Sequence, residues 1–413
     1  MEIVFLERSK VKTSFTHLNL KKKKIIVVGA GLAGLAAAYE LSKIHHVTVV
    51  EARDRIGGRV FSLNLKGVDV DLGGFMIFPW YKNYRRYCKE LGIDNDLKRI
   101  PNLEIYYDFG EGYFSESDLG LSSWGIAKMA IKVLPESFLG GSLASPNLDH
   151  FKGKSVAEYI EKLVKNPEER VKYMKLFDTI AQGYTYPSIE DYQAAFGVPI
   201  YPKVLISGDS NDCDIFTGGS MSLPNALAES IKENGGEIIL GRAVLDPKNE
   251  FESDAYLLAK TADSEMDYTN FTTVIVELDE RYQENLTDWG ALFITANGAE
   301  SEVLSLIDME KLYGAESLKA HYIFNIKSGL VLNEKSVLNL INDFLKTIRV
   351  KNVLVIESWK QAMPISREDY VKKVKNSQGI DNIFYAGDFL GCPSMETAVT
   401  TGKLAAEKIL KSF

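Results

Sequence analysis

One segment near the N-terminus limits the folds open to this chain more than any other. Residues 25–28 form a continuous β-branched run, which is typical of a strand buried on both faces. The run leads into the glycine turn 29–34, an alanine- and leucine-rich helix, and a second β-branched run over residues 47–50 that ends at Glu51. This order of strand, glycine turn, helix, strand and acid is the fingerprint of a dinucleotide-binding Rossmann unit.

Each residue of the fingerprint has a physical role. Gly29 permits the tight turn, Gly31 lets the backbone approach a pyrophosphate, and Gly34 lets the helix pack closely on the strand. The helix N-terminus offers free N–H groups and a positive dipole end to phosphates. Glu51 is placed to accept hydrogen bonds from a ribose hydroxyl, and its carboxylate disfavours a 2′-phosphate.

A second glycine loop follows Glu51. Residues 53–59 hold two adjacent glycines flanked by arginines, which suits a loop folded against a pyrophosphate. The predicted binding residues in it are Arg53, Gly58 and Arg59, with Arg59 as the countercharge. The stretch 47–60 resembles the extended FAD motif of the flavin amine oxidase superfamily, which includes monoamine oxidases, protoporphyrinogen oxidases, and carotenoid or squalene desaturases. The resemblance implies FAD as the cofactor.

The FAD domain of that superfamily is discontinuous, and later segments resemble its returning parts. Residues 70–75 resemble the loop that passes near the flavin ring, where Gly73 and Gly74 would let the backbone approach the isoalloxazine. Residues 216–234 resemble the return crossing into the domain.

The segment after that crossing departs from the superfamily pattern. Residues 241–244 are interpreted as the strand that covers the adenine, with Val244 as a backbone contact. Residues 254–259 resemble the next strand of the FAD domain. The stretch between them is short, so a loop is expected to replace the usual hairpin.

The C-terminal segment carries a third signature. Residues 382–388 are typical of a buried strand that ends in Gly387 and Asp388, and residues 393–399 open a helix. The resemblance implies that Asp388 binds the ribityl or pyrophosphate region. It also implies that the backbone at Met395, Glu396 and Ala398 faces the flavin pyrimidine edge, where a helix N-terminus would stabilise negative charge on the reduced flavin. In some members of the superfamily that this chain resembles, a cysteine upstream of this segment attaches the flavin. Residues 359–388 contain no cysteine or histidine, so the resemblance implies non-covalent FAD.

The patterns and the resemblance together predict an α/β fold: a discontinuous Rossmann-type FAD-binding domain with an α+β substrate domain that contains an antiparallel sheet. Helical periodicity marks residues 155–164 and 167–185, whereas residues 267–280 and 318–326 alternate as strands do. The predicted boundaries are an N-terminal extension at 1–23, the FAD-binding domain at 24–85, 205–262 and 365–413, and the substrate domain at 86–204 and 263–364.

The composition restricts partners and compartment. A length of 413 residues favours two domains. A net charge of −8 argues against nucleic acid as a partner, because a phosphate-binding surface needs a basic excess. Three scattered cysteines favour a reducing, cytoplasmic location, and no apolar run reaches the length of a membrane-spanning helix. The lysine run 21–24 leaves a peripheral contact with an anionic membrane as an alternative.

The substrate class depends on a finer resemblance. None of the five histidines pairs with a candidate catalytic carboxylate or cysteine, and no metal-ligand spacing is visible, so no catalytic side chain is assigned. Residues 74–93 resemble plant-type phytoene, zeta-carotene and squalene-associated desaturases. The resemblance implies a dehydrogenase or desaturase that moves a hydride from a small lipophilic substrate to flavin N5, with oxygen or a quinone as the electron acceptor. The candidate residues of an apolar cavity are Phe75, Trp80, Tyr81 and Trp359.

Three alternatives remain. Residues 359–364 resemble an element of protoporphyrinogen oxidases and several amine oxidases, and Lys327 is a candidate for the lysine that holds a flavin-bound water in amine oxidases. Ser394 stands where amine oxidases usually carry an aromatic residue, which disfavours amine oxidation. Outside enzymes, the short segment after Val244 suggests a flavin-bound scaffold or partner subunit.

Overall fold

The architecture is that of a computed structural model. It describes residues 22–100, 105–108, 113–115, 131–200, 203, 213–260, 265–282, 292–295, 302–327 and 333–413. Of the predicted extension 1–23 only the last two residues are described, and the predicted boundaries at 204/205 and 262/263 also lie outside the described residues. None of the helices within these ranges is both long and apolar enough to cross a membrane.

Strands and helices alternate along most of the described chain. In chain order the strands are β1 (Lys24–Val28), β2 (His46–Val50), β3 (Ser62–Leu65), β4 (Val68–Asp71), β5 (Leu97–Arg99), β6 (Ile105–Asp108), β7 (Tyr113–Ser115), β8 (Gly141–Ser142), β9 (Ser145–Pro146), β10 (Asp214–Phe216), β11 (Glu237–Ile239), β12 (Ala255–Leu258), β13 (Phe271–Leu278), β14 (Leu292–Thr295), β15 (Val303–Asp308), β16 (His321–Lys327), β17 (Val350–Trp359) and β18 (Ile383–Tyr385). The helices are α1 (Leu32–Ser42), α2 (Lys82–Glu90), α3 (Glu136–Leu139), α4 (Leu148–Phe151), α5 (Val156–Leu163), α6 (Pro167–Gly183), α7 (Ala194–Gly197), α8 (Ser222–Glu233), α9 (Pro247–Glu250), α10 (Met309–Tyr313), α11 (Glu334–Leu345), α12 (Glu368–Asn376) and α13 (Met395–Lys411).

Five strands form a parallel sheet in the order β11-β2-β1-β12-β18. Its central strand explains the β-branched run of the sequence, because successive side chains of a strand point to opposite faces. Ile25 and Val27 pack into the core that contains α1, whereas Ile26 and Val28 pack into a smaller core on the other face. The predicted Rossmann-type domain is confirmed, and its strands come from segments far apart in the chain.

The second sheet has the strand order β17-β13-β16-β15-β14-β6-β7. Its pairs are antiparallel except for β14 and β6, which are parallel. Val274 and Phe324 pack against α11 on one face, whereas Ile275 and Ile323 on the other face join the large core that includes Phe177 of α6. The predicted α+β arrangement with an antiparallel sheet is confirmed.

The chain passes between the two domains at a short antiparallel ribbon of β5 and β10. Arg85 and Arg99 donate to the two carboxylate oxygens of Asp214, at 2.6 and 3.0 Å, and so tie the ribbon to α2. Helix α2 itself packs into the core of the FAD-binding domain through Tyr87 and Cys88. We therefore propose that the first FAD-binding segment extends to this ribbon, beyond the boundary expected from the sequence.

The strand expected at 241–244 is not a strand, and that prediction is wrong. The edge strand β11 ends at Ile239, and the following loop is held by backbone bonds from Gly241 N to Arg53 O and from Arg242 N to Glu51 O, at 2.8 and 2.9 Å. Val244 is buried because it packs against one face of the sheet, and it does not pair with a strand. The one-turn helix α9 lies in the segment that connects Val244 to β12. A short connection therefore replaces the usual hairpin, as predicted.

Candidate functional site

Two glycine loops lie side by side at the carboxyl edge of the parallel sheet. Gly57 N donates to Ala30 O at 2.8 Å, and a Cβ added to Gly58 would lie 3.1 Å from Gly31 Cα. Gly29 has a φ of +107°, in the region that favours glycine, and a Cβ at Gly34 would lie 1.9 Å from Gly29 O. The structure therefore brings together the two predicted loops at the start of α1.

The N-terminus of α1 fits a phosphate group. Its N-cap residue is Gly31, which makes no side-chain cap hydrogen bond, and no acidic residue lies in the first turn. A Cβ at Gly31 would have only one neighbour within 4 Å, Gly58 Cα at 3.9 Å, so the space beside this backbone is open. Uncapped N–H groups and the positive dipole end are the features that bind a pyrophosphate.

Glu51 and Arg53 brace the two loops. The carboxylate of Glu51 accepts from Ala30 N at 2.7 Å and from Arg53 N at 2.9 Å, and only 9% of the residue is exposed. Arg53 Nη1 donates to Gly58 O at 3.1 Å. Both predicted site residues thus lie at the loops, and their observed contacts hold the loops in place.

Arg59 and Asp388 form a bidentate ion pair, although 329 residues separate them. Arg59 Nη1 and Nη2 donate to the two carboxylate oxygens at 2.9 and 2.6 Å, and Nη1 also donates to Ala362 O at 2.7 Å. Asp388 is buried, and it follows Gly387 at the carboxyl end of β18. The structure brings the predicted pyrophosphate countercharge next to the predicted ribityl-binding acid.

The segment after β4, which the resemblance places near a flavin ring, meets the start of α13. Gly74 N donates to Arg59 O at 3.2 Å, and a Cβ at Gly74 would lie 3.5 Å from the side chain of Met395. At Gly73 a Cβ would lie 2.0 Å from Arg59 O. These glycines allow three distant segments to come together at one place.

The side chain of Glu396 contacts the start of α2, whereas the prediction for this residue concerned its backbone. Its carboxylate accepts from the backbone N–H groups of Asn83 and Tyr84, both at 2.9 Å, and so caps the N-terminus of α2. Only its backbone, with that of Met395 and Ala398, is left for the predicted contact with a flavin. Ser394 Oγ caps α13 by accepting from Thr397 N at 3.1 Å.

The aromatic run before α2 forms a cluster. Phe78 and Trp80 stack with ring centroids 5.0 Å apart, and Tyr81 contacts both rings edge-on. Burial raises the pKa of Tyr81 well above its ordinary value, with Tyr186 and Glu396 adding to the shift. Tyr186 in turn donates from its hydroxyl to Pro393 O, just ahead of α13.

Trp359 belongs to the large core that also contains Met76 and Phe389, and Phe75 packs against that core. Only 3% of Trp359 is exposed, and its Nε1 donates to Thr273 Oγ1 at 3.1 Å. The structure therefore places Trp359 in the core, with its one polar atom hydrogen-bonded.

Sequence reasoning missed the residue that fastens the segment after β4. Asp71 is buried, and its Oδ1 accepts from Ser62 Oγ at 2.6 Å and from Ser220 N at 2.8 Å. Burial raises the pKa of Asp71. The available signals were an acid two residues before the glycine pair 73–74, and a serine directly after the glycine pair 218–219.

The reactivity of the cysteines tests whether the protein interior is packed around them as the structure shows. All three are free and buried, and burial raises the pKa of Cys88 and of Cys213 to about 12 and that of Cys392 further. We expect native protein at pH 8 to show no rapidly reacting thiol with Ellman's reagent, because thiolate is the reactive form. The same sample in guanidinium should titrate three thiols. A thiol that reacts at once in native protein would contradict the packing around it.

The fold and the site define a two-domain protein with a Rossmann-type nucleotide-binding sheet. The chain belongs to the family of flavin-containing amine oxidoreductases, whose family model matches residues 32–276. This is a family of flavin-dependent oxidoreductases, and FAD is the cofactor, as the sequence predicted. Among the described residues no cluster of three or more metal-binding side chains is found.

Curated relatives match parts of the chain. Amine oxidase B of Mus musculus is 39% identical over 102 residues, which are 22% of this chain and 18% of the relative. L-amino-acid oxidase of Crotalus adamanteus is 28% identical over 280 residues, which are 62% of this chain and 50% of the relative. The matches therefore span between about a fifth and a half of the length of these relatives.

Solved structures match nearly the whole chain. A CLA-producing fatty acid isomerase from P. acnes has a TM-score of 0.73 at 15% identity, with 95% of this chain and 99% of that chain covered. A putative protoporphyrinogen oxidase from Exiguobacterium sp. 255-15 has a TM-score of 0.72 at 16% identity, with the same coverage of 95% and 99%. At these identities the likeness shows the fold, and the relation to the desaturase branch stays a prediction.

Proposed function

We propose that this chain is an FAD-dependent oxidoreductase that removes a hydride equivalent from a small lipophilic substrate, as desaturases and dehydrogenases do. The observation that carries the proposal is the convergence of the two glycine loops, the Arg59–Asp388 pair and the start of α13 at one edge of the parallel sheet. Non-covalent FAD is part of the proposal, as is an electron acceptor such as oxygen or a quinone.

Residues of the chain have separate roles in this proposal. The N-terminus of α1 binds the pyrophosphate, Arg59 supplies the countercharge, and Asp388 accepts hydrogen bonds from the ribityl chain. Bound FAD supplies an acceptor for a hydride equivalent. Phe75, Trp80 and Trp359 exclude water from the reacting atoms and hold an apolar substrate.

Two side chains favour a lipophilic substrate over an amine. Ser394 offers no ring surface to an amine, and its hydroxyl is engaged in capping α13. Lys327, the candidate for an amine oxidase lysine, is exposed at the end of β16, with its Nζ 3.5 Å from Gln182 Oε1. Position 394 therefore offers no aromatic face for the recognition of a cation.

Amine oxidation is the second candidate, and the similarity to amine oxidase B and L-amino-acid oxidase favours it. Porphyrinogen oxidation is kept as a third reaction for the test. We propose a cytoplasmic location, because all three cysteines are free in the structure, as a reducing compartment would keep them.

Reduction of the bound flavin by defined substrates tests the proposal. Purified protein should be yellow, and acid precipitation should leave the flavin in the supernatant, since non-covalent FAD dissociates from unfolded chain. Under anaerobic conditions we expect an apolar isoprenoid or polyene to bleach the flavin absorbance, whereas primary amines, amino acids and porphyrinogens should not. Bleaching by an amine alone would replace the first candidate by the second.

Reoxidation separates an enzyme from a scaffold. Photoreduced protein mixed with oxygen or with a soluble quinone should regain its oxidised spectrum. A flavin that no acceptor reoxidises would favour the flavin-bound scaffold or partner subunit, and colourless protein after incubation with excess FAD would remove the basis of the whole proposal.

A further inference from the structure

The carboxylate of Glu396 joins two helix N-termini in the FAD-binding domain. Glu396 is the second residue of α13, yet its oxygens accept from Asn83 N and Tyr84 N at the start of α2. Asn83 Nδ2 and Thr400 Oγ1 lie within hydrogen-bond distance of Oε1, at 3.3 and 3.2 Å. With 7% of the residue exposed, this carboxylate has four donors and little contact with water.

This contact changes the electrostatics expected at the start of α13. A helix N-terminus carries about half a positive charge, which would stabilise an anionic reduced flavin. A buried carboxylate within the first turn offsets that partial charge, and here it also offsets the N-terminal end of α2.

We propose that Glu396 is a fixed negative charge that lowers the reduction potential of the bound flavin by offsetting the positive end of α13. The inference rests on the proposed FAD site. It assigns a function to a side chain whose oxygens accept from α2 and from Thr400. The carboxylate disfavours the extra negative charge of the reduced flavin and so leaves the reduced flavin a stronger donor to its acceptor. Glu396 is a positioning and charge-setting residue, not a catalytic one.

The charge of Glu396 already acts on a neighbouring group. It contributes to the raised pKa of the Tyr81 phenol, after burial and the effect of Tyr186. The same carboxylate fixes the start of α2, which directly follows the aromatic run. Glu396 thus has two effects that variants can separate: its charge acts on neighbouring groups, and its hydrogen bonds hold α2 against α13.

Four variants separate charge from packing. Glu396→Gln removes the charge and keeps the size of the side chain. The double variant Glu396→Gln/Asn83→Asp moves the charge to the other end of the same hydrogen bond, where an acid in the first turn of α2 is favourable. Glu407→Gln is the matched control, because Glu407 lies on the same helix and pairs with Lys403 near the surface. Asn83→Asp alone adds a charge next to Glu396.

The readouts are the flavin reduction potential, measured by spectroelectrochemistry, and the sulfite dissociation constant of the FAD-loaded protein. We expect Glu396→Gln to raise the potential and to bind sulfite several-fold more tightly, while the double variant returns both values towards those of the wild type and Glu407→Gln leaves them unchanged. If Glu396→Gln does not retain FAD, Asn83→Asp alone should lower the potential below that of the wild type.

Three results would overturn the inference. They are a potential of Glu396→Gln equal to that of the wild type, an equal shift in Glu396→Gln and the double variant, and an unchanged potential in Asn83→Asp. The second of these would assign the effect to packing. If the wild-type protein binds no FAD, the proposed function itself is wrong. This result is obtained before any variant is compared.

Discussion

Gly31→Ala is expected to weaken FAD binding strongly and to leave the FAD-free fold intact. The structure has room for the methyl group, because the nearest atom to a Cβ at Gly31 is Gly58 Cα at 3.9 Å. We propose that a pyrophosphate approaches the backbone through that space. We expect the dissociation constant for FAD to rise on the order of a hundredfold, which corresponds to roughly 3 kcal/mol. Isothermal titration of the FAD-free protein measures it.

Gly34→Ala is the matched control for that variant. Its Cβ would lie 1.9 Å from Gly29 O, so the turn or the helix must move. We expect a loss of about 1–3 kcal/mol in the free energy of unfolding of FAD-free protein, as for other overpacked sites. Gly31→Ala should lose almost none. Equal destabilisation by both variants would show that Gly31 serves packing and not the cofactor.

The structure could be predicted from the sequence where local sterics or the periodicity of apolar residues determine it. The strand β1 and the glycine turn follow from a two-face burial pattern and from Gly29 and Gly34, whose neighbours leave no room for a side chain. The strand predicted at Val244 was wrong, because the sequence does not distinguish a buried apolar residue within a strand from one that packs against a strand. The three-residue strand β11 is too short to show a period.

Long-range partners could not be predicted from the sequence. Glu396 looks like an ordinary acid in the first turn of a helix, and nothing near it indicates a bond to amides 313 and 312 residues earlier. Arg59 and Asp388 were each predicted as cofactor ligands, but their mutual pairing depends on how β18 is inserted beside β12. The sequence indicated the composition of the site, and the tertiary fold decides which charges meet.

The Arg59–Asp388 pair should be the most strongly coupled ionic interaction in the FAD-binding site. Removal of one partner of a buried pair costs about 3–5 kcal/mol, because a charge is left without compensation. Asp388 has 7% side-chain exposure and Arg59 has 33%, so the two single variants should differ. Arg59→Met leaves a buried carboxylate and should lower the free energy of unfolding by about 3 kcal/mol. Asp388→Asn leaves a guanidinium that water and Ala362 O still contact, and should cost about 1–2 kcal/mol.

The double variant Arg59→Met/Asp388→Asn makes the prediction specific, because it leaves neither charge behind. We expect it to be more stable than the sum of the single effects by about 1–3 kcal/mol, the range found for residues in direct contact. Urea unfolding of FAD-free protein measures the coupling, with Glu407→Gln on α13 as a surface control. FAD titration of the same set should show that Arg59→Met weakens binding even in the double variant, since the pyrophosphate has lost its countercharge. Additive stabilities would mean that the pair is too well solvated to matter, and unchanged FAD affinity would remove Arg59 from the cofactor site.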